Sequence, residues 1–108
     1  LIDKKRIGLF KKTSNLVIIS RGGIVNEQAL INALQTESIA GAAIDTFYEE
    51  PLPKNSPFWD LKNCLISPHV SASAKGMIES RRNIFLENLK RYLNKEAFLY
   101  VCDKKAGF

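Results

Sequence analysis

Among the 108 residues of this chain, the side chains whose types and neighbours suit chemistry are Arg21, Asp45, Glu50 and His69. Arg21 follows an apolar run and precedes Gly22-Gly23, where a guanidinium fork can hold a carboxylate by two parallel charge-assisted bonds. His69, the only histidine, stands directly after Pro68 and is the residue type suited to proton transfer near neutral pH. Glu49 and Glu50 precede Pro51, and a carboxylate beside an imidazole orients the ring, fixes its tautomer and favours its protonated form. Asp45 closes a second apolar run, where a carboxylate has to be hydrogen-bonded. Taken one at a time, each residue also has a plainer reading. Arg21 can be a strand terminus before a flexible turn, His69 a packing or capping group, the two glutamates loop charges, and Asp45 a cap for the next turn.

The elements that must position these groups alternate along the chain. Residues 3–12 carry Ile7 and Phe10 behind Asp3 as a cap, which predicts a short helix weakened by Gly8. Residues 15–20 form a β-branched run too short for a helix and predict a strand covered on both faces. Residues 26–35 place Ala29, Leu30, Ala33 and Leu34 on one face behind Asn26, an amphipathic helix. Residues 39–44 predict a second buried strand and residues 63–66 a third. Between them, Pro51, Pro53 and Pro57 make residues 46–62 an ordered loop, with Phe58 and Trp59 as its anchors. Residues 74–93 keep a helical apolar stripe, and residues 98–101 suggest a brief extended piece. The order is that of one half of a doubly wound α/β sheet, in which ligands bind beyond the carboxyl ends of the strands. Arg21, Asp45 with Glu50, and His69 all fall at strand ends.

Composition bounds the reading. A 45% hydrophobic content and a net charge of +5 describe one folded globular unit with a single modest core, in which roughly 60–65% of the unfolded chain's surface is hidden. The apolar runs fall short of the ~20 residues a bilayer span requires, and no signal segment opens the chain, so no membrane partner and a cytoplasmic location are expected. Cys64 and Cys102 match no metal or disulfide spacing and are expected to be free thiols. Lys4, Lys5, Arg6, Lys11 and Lys12, like Arg81, Arg82, Lys90 and Arg91, interleave with apolar residues as solvated helix faces do, so no nucleic-acid partner is expected. The chain begins at Leu1 without an initiator Met, and is expected to be a piece of a longer protein.

The motifs around the polar residues carry a resemblance. They are Ile18-Ile-Ser-Arg-Gly-Gly-Ile-Val-Asn26, Ala29-Leu30 with Ala33-Leu34, Ala40-Gly-Ala-Ala-Ile-Asp-Thr-Phe47, Glu49-Glu-Pro-Leu-Pro53, Ser56-Pro-Phe-Trp59, Asn63 and Ser67-Pro-His69. In order and spacing they resemble the C-terminal signatures of the D-isomer-specific 2-hydroxyacid dehydrogenases. Residues 1–12 resemble the family's stretch before its strand, and residues 101–108 are similar to a family ending in Val-Asp-x-x-x-Gly-Tyr. The departures are mild: Ile18 where Asn is common, Asn26 where Asp is usual, Thr46 where Val is usual, and Phe108 where Tyr is frequent.

The resemblance implies hydride exchange between NAD or NADP and the C2 carbon of a small 2-oxo or 2-hydroxy acid such as glyoxylate, hydroxypyruvate or pyruvate. Arg21 would bind the substrate carboxylate, His69 would move the proton, and Glu50 would hold His69 protonated. Asp45 would lie on the nicotinamide carboxamide side, with Ile19, Ser20, Arg21 and His69 also lining the cofactor. Residues 1–73 would be the C-terminal part of an NAD(P)-binding domain, and residues 74–108 a crossing helix and tail returning to a substrate domain outside this chain. No Gly-x-Gly-x-x-Gly turn occurs, so the phosphate cradle and the residue that selects NAD or NADP are expected outside it too, and the chain alone is expected to be inactive. Met77, Ile78 and Phe85 would then face nothing. The resemblance further implies a homodimer of the whole enzyme, and the short tail after residue 95 argues against an appended regulatory domain. The alternative is a non-catalytic relative that uses the fold for nucleotide sensing or protein binding.

Overall fold

A computed structural model describes residues 1–107, which fall into two compact units, Leu1–Ser71 and a second from Ala72 onward. Phe108, singled out above as a departure, lies outside the described residues.

The first unit is built on three parallel strands, β1 (Asn15–Ile18), β2 (Gly41–Ile44) and β3 (Cys64–Ile66), in the order β1-β2-β3. Helix α1 (Lys4–Ile7) precedes them and is capped by Asp3, whose carboxylate accepts the Arg6 N–H at 2.9 Å. It is shorter than expected because the chain turns at Gly8, yet Ile7 is buried and Phe10 packs beside it. Helix α2 (Glu27–Gln35) starts where Asn26 predicts, with Asn26 Oδ1 accepting the Ala29 N–H at 2.9 Å. Its Ala29, Leu30, Ile31, Ala33 and Leu34 are buried. Removing Leu30 or Leu34 from water contributes about 1.5–3 kcal/mol each.

Side chains alternate across a strand, so register decides what the sheet covers. Leu16, Ala42 and Cys64 share one face with Ile18, Ile44 and Ile66, and all of these join or pack against the α1–α2 core. Val17, Ala43 and Leu65 form the corresponding row on the other face, where Val17 is 64% and Leu65 71% exposed. The expectation that the first strand is covered on both faces is therefore corrected, while β2 is buried as expected. This unit supplies one helical layer, and a β-branched run reads the same whether its second face is covered by the same unit or by something else. Ile39 is buried but precedes β2 rather than belonging to it.

The proline-rich stretch is ordered, as expected, around a 3-10 turn at Pro57–Asp60. Phe58 anchors it from inside, 1% exposed, its ring centroid 5.5 Å from that of Phe47. Trp59 anchors it from outside: half its surface is open, and its indole N–H donates to the Pro53 carbonyl at 2.8 Å.

The second unit is α3 (Met77–Leu93) and the segment after it. The helix begins at Met77 rather than residue 74 because Gly76 takes a left-handed φ of 81°. None of its residues is buried, and Ile78 and Phe85 are 85% and 66% exposed. After α3 the chain folds back on it. Asn88 exchanges two hydrogen bonds with the Leu99 backbone, Arg91 donates to the Ala97 carbonyl, and Tyr92 stacks on Phe98. No strand forms at residues 98–101, a correction whose cause is local: Tyr100 has a φ of 55°, which ends any extended run, and side chains of α3 already serve the Leu99 backbone. No helix among the described residues is long and apolar enough to cross a membrane.

Candidate active site

All of the polar residues singled out from the sequence belong to the first unit, just beyond the carboxyl ends of the strands. Beyond β1 the chain runs through Ile19 and Ser20, both exposed, to Arg21. Gly22 then passes so close to the segment after β2 that a Cβ there would lie 1.9 Å from the Phe47 carbonyl oxygen. Only glycine permits that approach. The Arg21 guanidinium is turned back on its own turn, donating to the Ser20 carbonyl at 2.7 Å.

β2 is followed directly by Asp45, whose N–H still bonds to the Ile18 carbonyl of β1. Its side chain is 2% exposed, yet its acceptors are well used. Oδ1 takes the Ser67 hydroxyl and the Val70 N–H, and Oδ2 takes the Ser71 N–H, the latter two at 2.9 Å. The Ser67 hydroxyl first, then that of Ser71, with the two backbone N–H groups, hold the Asp45 carboxyl well below the usual carboxylate range despite its desolvation.

Glu50 and His69 are brought together. His69 Nδ1 lies 2.7 Å from Glu50 Oε2, while Glu50 Oε1 accepts the Phe47 N–H at 2.8 Å. The His69 contact and the Phe47 N–H lower the Glu50 carboxyl from its ordinary value; burial opposes this, and the charges of His69 and Arg21 add to it. An ionised carboxylate only accepts, so the ring nitrogen facing Glu50 is a donor, and Nε2 is left as the nitrogen that can exchange a proton with a ligand. Asp45, Glu50 and His69 line one cleft of about 590 Å³ together with Ser67, and the rest of its wall is largely apolar, with Phe47, Leu52, Trp59 and Ile66. Arg21 is not on that wall. It lines a small hollow with Gly22 and Thr46, and its link to the pair is the electrostatic one through Glu50.

Residue-by-residue reading passed over Ser67 and Ser71 as ligands of Asp45, and Glu27, whose Oε1 accepts the Tyr48 N–H at 2.6 Å and ties α2 to the proline segment. Hydroxyls flanking a Pro-His pair were the available signal for the serines. Nothing in the spacing of Glu27 and Tyr48, separated by 21 positions, announces their contact.

Parallel strands with polar groups gathered at their carboxyl ends make this part of a Rossmann-like, doubly wound sheet. Residues 1–71 match the family model described as D-isomer specific 2-hydroxyacid dehydrogenase, NAD binding domain, and the chain belongs to that family. A glyoxylate reductase of Thermococcus kodakarensis is 38% identical over 96 residues, covering 89% of this chain and 28% of that protein. A D-3-phosphoglycerate dehydrogenase of Methanocaldococcus jannaschii is 38% identical over 96 residues, covering 89% and 18%. Among solved structures, a D-isomer specific 2-hydroxyacid dehydrogenase from Xanthobacter autotrophicus, in complex with NADPH and MES, aligns with a TM-score of 0.83 at 32% identity, covering 97% of this chain and 43% of that one. The chain thus spans less than a third of the length of these two curated relatives.

Proposed function

We propose that the protein containing this chain is an NAD- or NADP-dependent oxidoreductase that interconverts a small 2-oxo acid and its D-2-hydroxy acid. The observation that carries the reading is the Glu50–His69 pair, 2.7 Å apart, at the strand ends beside an apolar cleft. In reduction His69 Nε2 donates a proton to the substrate's carbonyl oxygen, and in oxidation it accepts the proton back. Glu50, held in turn by the Phe47 N–H, keeps the ring oriented with Nδ1 toward its carboxylate and Nε2 free for the substrate. Arg21 binds the substrate carboxylate and polarises the carbonyl through the guanidinium N–H groups that its Nη1 bond to the Ser20 carbonyl leaves free.

The cleft fits a nicotinamide. Phe47, Leu52 and Ile66 give an apolar wall, Asp45 would meet the carboxamide, and Ile19 and Ser20, exposed beside Arg21, would help to hold the cofactor. When bound, the cofactor delivers or removes the hydride at C2. Residues 1–73 act as part of the NAD(P)-binding domain and residues 74–108 as the return to a substrate domain, with the whole enzyme a cytoplasmic homodimer. Glyoxylate, hydroxypyruvate and pyruvate fit the reading, the first supported by the glyoxylate reductase relatives.

The test is steady-state oxidation of NADH and NADPH by the full-length protein with each of these acids. His69→Ala is expected to lower turnover roughly 10²–10⁴-fold, as loss of a proton-transferring group does, and Arg21→Ala to abolish saturation by the acid. A full-length enzyme indifferent to both substitutions would sink the assignment.

A further inference from the structure

The hydrogen bonds of Asp45 have a pattern. Their donors are the Ser67 hydroxyl, two residues before His69, and the Val70 and Ser71 N–H groups, one and two residues after it. His69 itself has a φ of 54°, a left-handed conformation uncommon outside glycine, which persists only where the surroundings hold it. Asp45 grips the chain on both sides of that residue. The same strand end also holds the partner, because Phe47, two residues after Asp45, gives its N–H to Glu50 Oε1.

We propose that Asp45 is a positioning residue for His69, its buried carboxylate fixing the 67–71 backbone so that the imidazole meets Glu50 through Nδ1 and presents Nε2 to the cleft. This role is additional to any contact with a nicotinamide. It deepens the assignment of His69 as proton donor and rests on that assignment for its consequence in turnover. Its structural content stands without cofactor or substrate, so the test uses neither.

His69 is the only histidine in the chain, so one imidazole spin system reports on it. Long-range proton–nitrogen spectra of the labelled chain, taken above the pH at which the ring is neutral, distinguish the two tautomers. The wild type is expected to hold the proton on Nδ1, facing Glu50. Asp45→Asn keeps the size of the side chain but turns one acceptor into a donor that opposes the Val70 or Ser71 N–H. With the methyl signals of Ile18, Leu30 and Ile44 unchanged, it is expected to lose the Nδ1–H majority in favour of Nε2–H. A folded Asp45→Asn chain that keeps the Nδ1–H tautomer overturns the proposal. If that variant loses the core methyl signals, Ser67→Ala decides in its place, since it removes one bond and leaves the carboxylate charged. A fall in the Nδ1–H fraction then supports the proposal, and an unchanged fraction overturns it. Failure of the turnover assay with these spectra intact would count against the proposed function and not against the role of Asp45.

Discussion

Thr46 shows how a single buried group beside the site can be tuned. It follows Asp45, is 2% exposed, and its hydroxyl has no hydrogen-bond partner among the described residues. Valine has the same shape without the hydroxyl. A buried hydroxyl left unpaired costs about 1–3 kcal/mol, so Thr46→Val is expected to raise stability by about 1 kcal/mol, read as a higher urea midpoint at unchanged slope. Asp45 is the opposite case, a buried carboxylate whose acceptors are used. Its folded-state value lies below the ordinary 3.8, so it contributes stability fully above that pH and loses it as pH falls through the lower, folded value. Asp45→Asn should therefore lower the urea midpoint at pH 7 and differ progressively less from wild type as pH falls below about 3.8, the unfolded value. A gap that stays constant down to pH 2, about two units below that value, would show that the loss is one of packing and not of charge.

At the scale of elements, the strand ends work because two segments can approach at Gly22. A Cβ there would meet the Phe47 carbonyl at 1.9 Å, and neither side is a flexible side chain that could swing away. Gly22→Ala is expected to destabilise by at least about 3 kcal/mol, the upper range for overpacking, and to disturb the Glu50–His69 pair through Phe47. Gly76→Ala is the control. It has nothing within 4 Å but a φ of 81°, and should cost about 1–2 kcal/mol from backbone strain alone, as chemical denaturation of both variants would show. The same elements explain what could be read in advance. Asn26 before Ala29 and Leu30 announces α2 and its cap, and the apolar runs announce three strands, because those signals are local and periodic. The gathering of Arg21, Asp45, Glu50 and His69 at one edge follows from their places after strands. Less legible were features set by contact across the chain: the grip of Asp45 on Ser67, Val70 and Ser71, the turning of Arg21 onto Ser20, and the fold-back at Tyr100. None of these has a period. Each depends on a backbone conformation that residue types permit without requiring.

For the molecule as a whole, the informative surface is the row Val17, Ala43 and Leu65, held in register across the sheet's uncovered face. In a doubly wound sheet both faces carry helices, and the helices of the first unit, α1 and α2, cover one. Separated exposed apolar residues need no explanation, but a registered row on a flat sheet is a surface that water disfavours at about 25 cal/mol per Å² of apolar area. The chain taken alone is therefore expected to self-associate with rising concentration. Leu65, 71% exposed at the centre of β3, is the position at which a charge disturbs no buried neighbour and most disfavours stacking of two such faces. Leu65→Lys should shift sedimentation velocity profiles toward the monomer while leaving the helical and sheet signals intact. If association persists unchanged, the apolar surface responsible lies elsewhere, with Ile78 and Phe85 of α3 the next residues to replace. In a longer protein that covers this face the same substitution should act the other way, lowering stability by burying an unpaired charge, and the contrast between the two contexts would show whether the row is an interior surface of the longer protein.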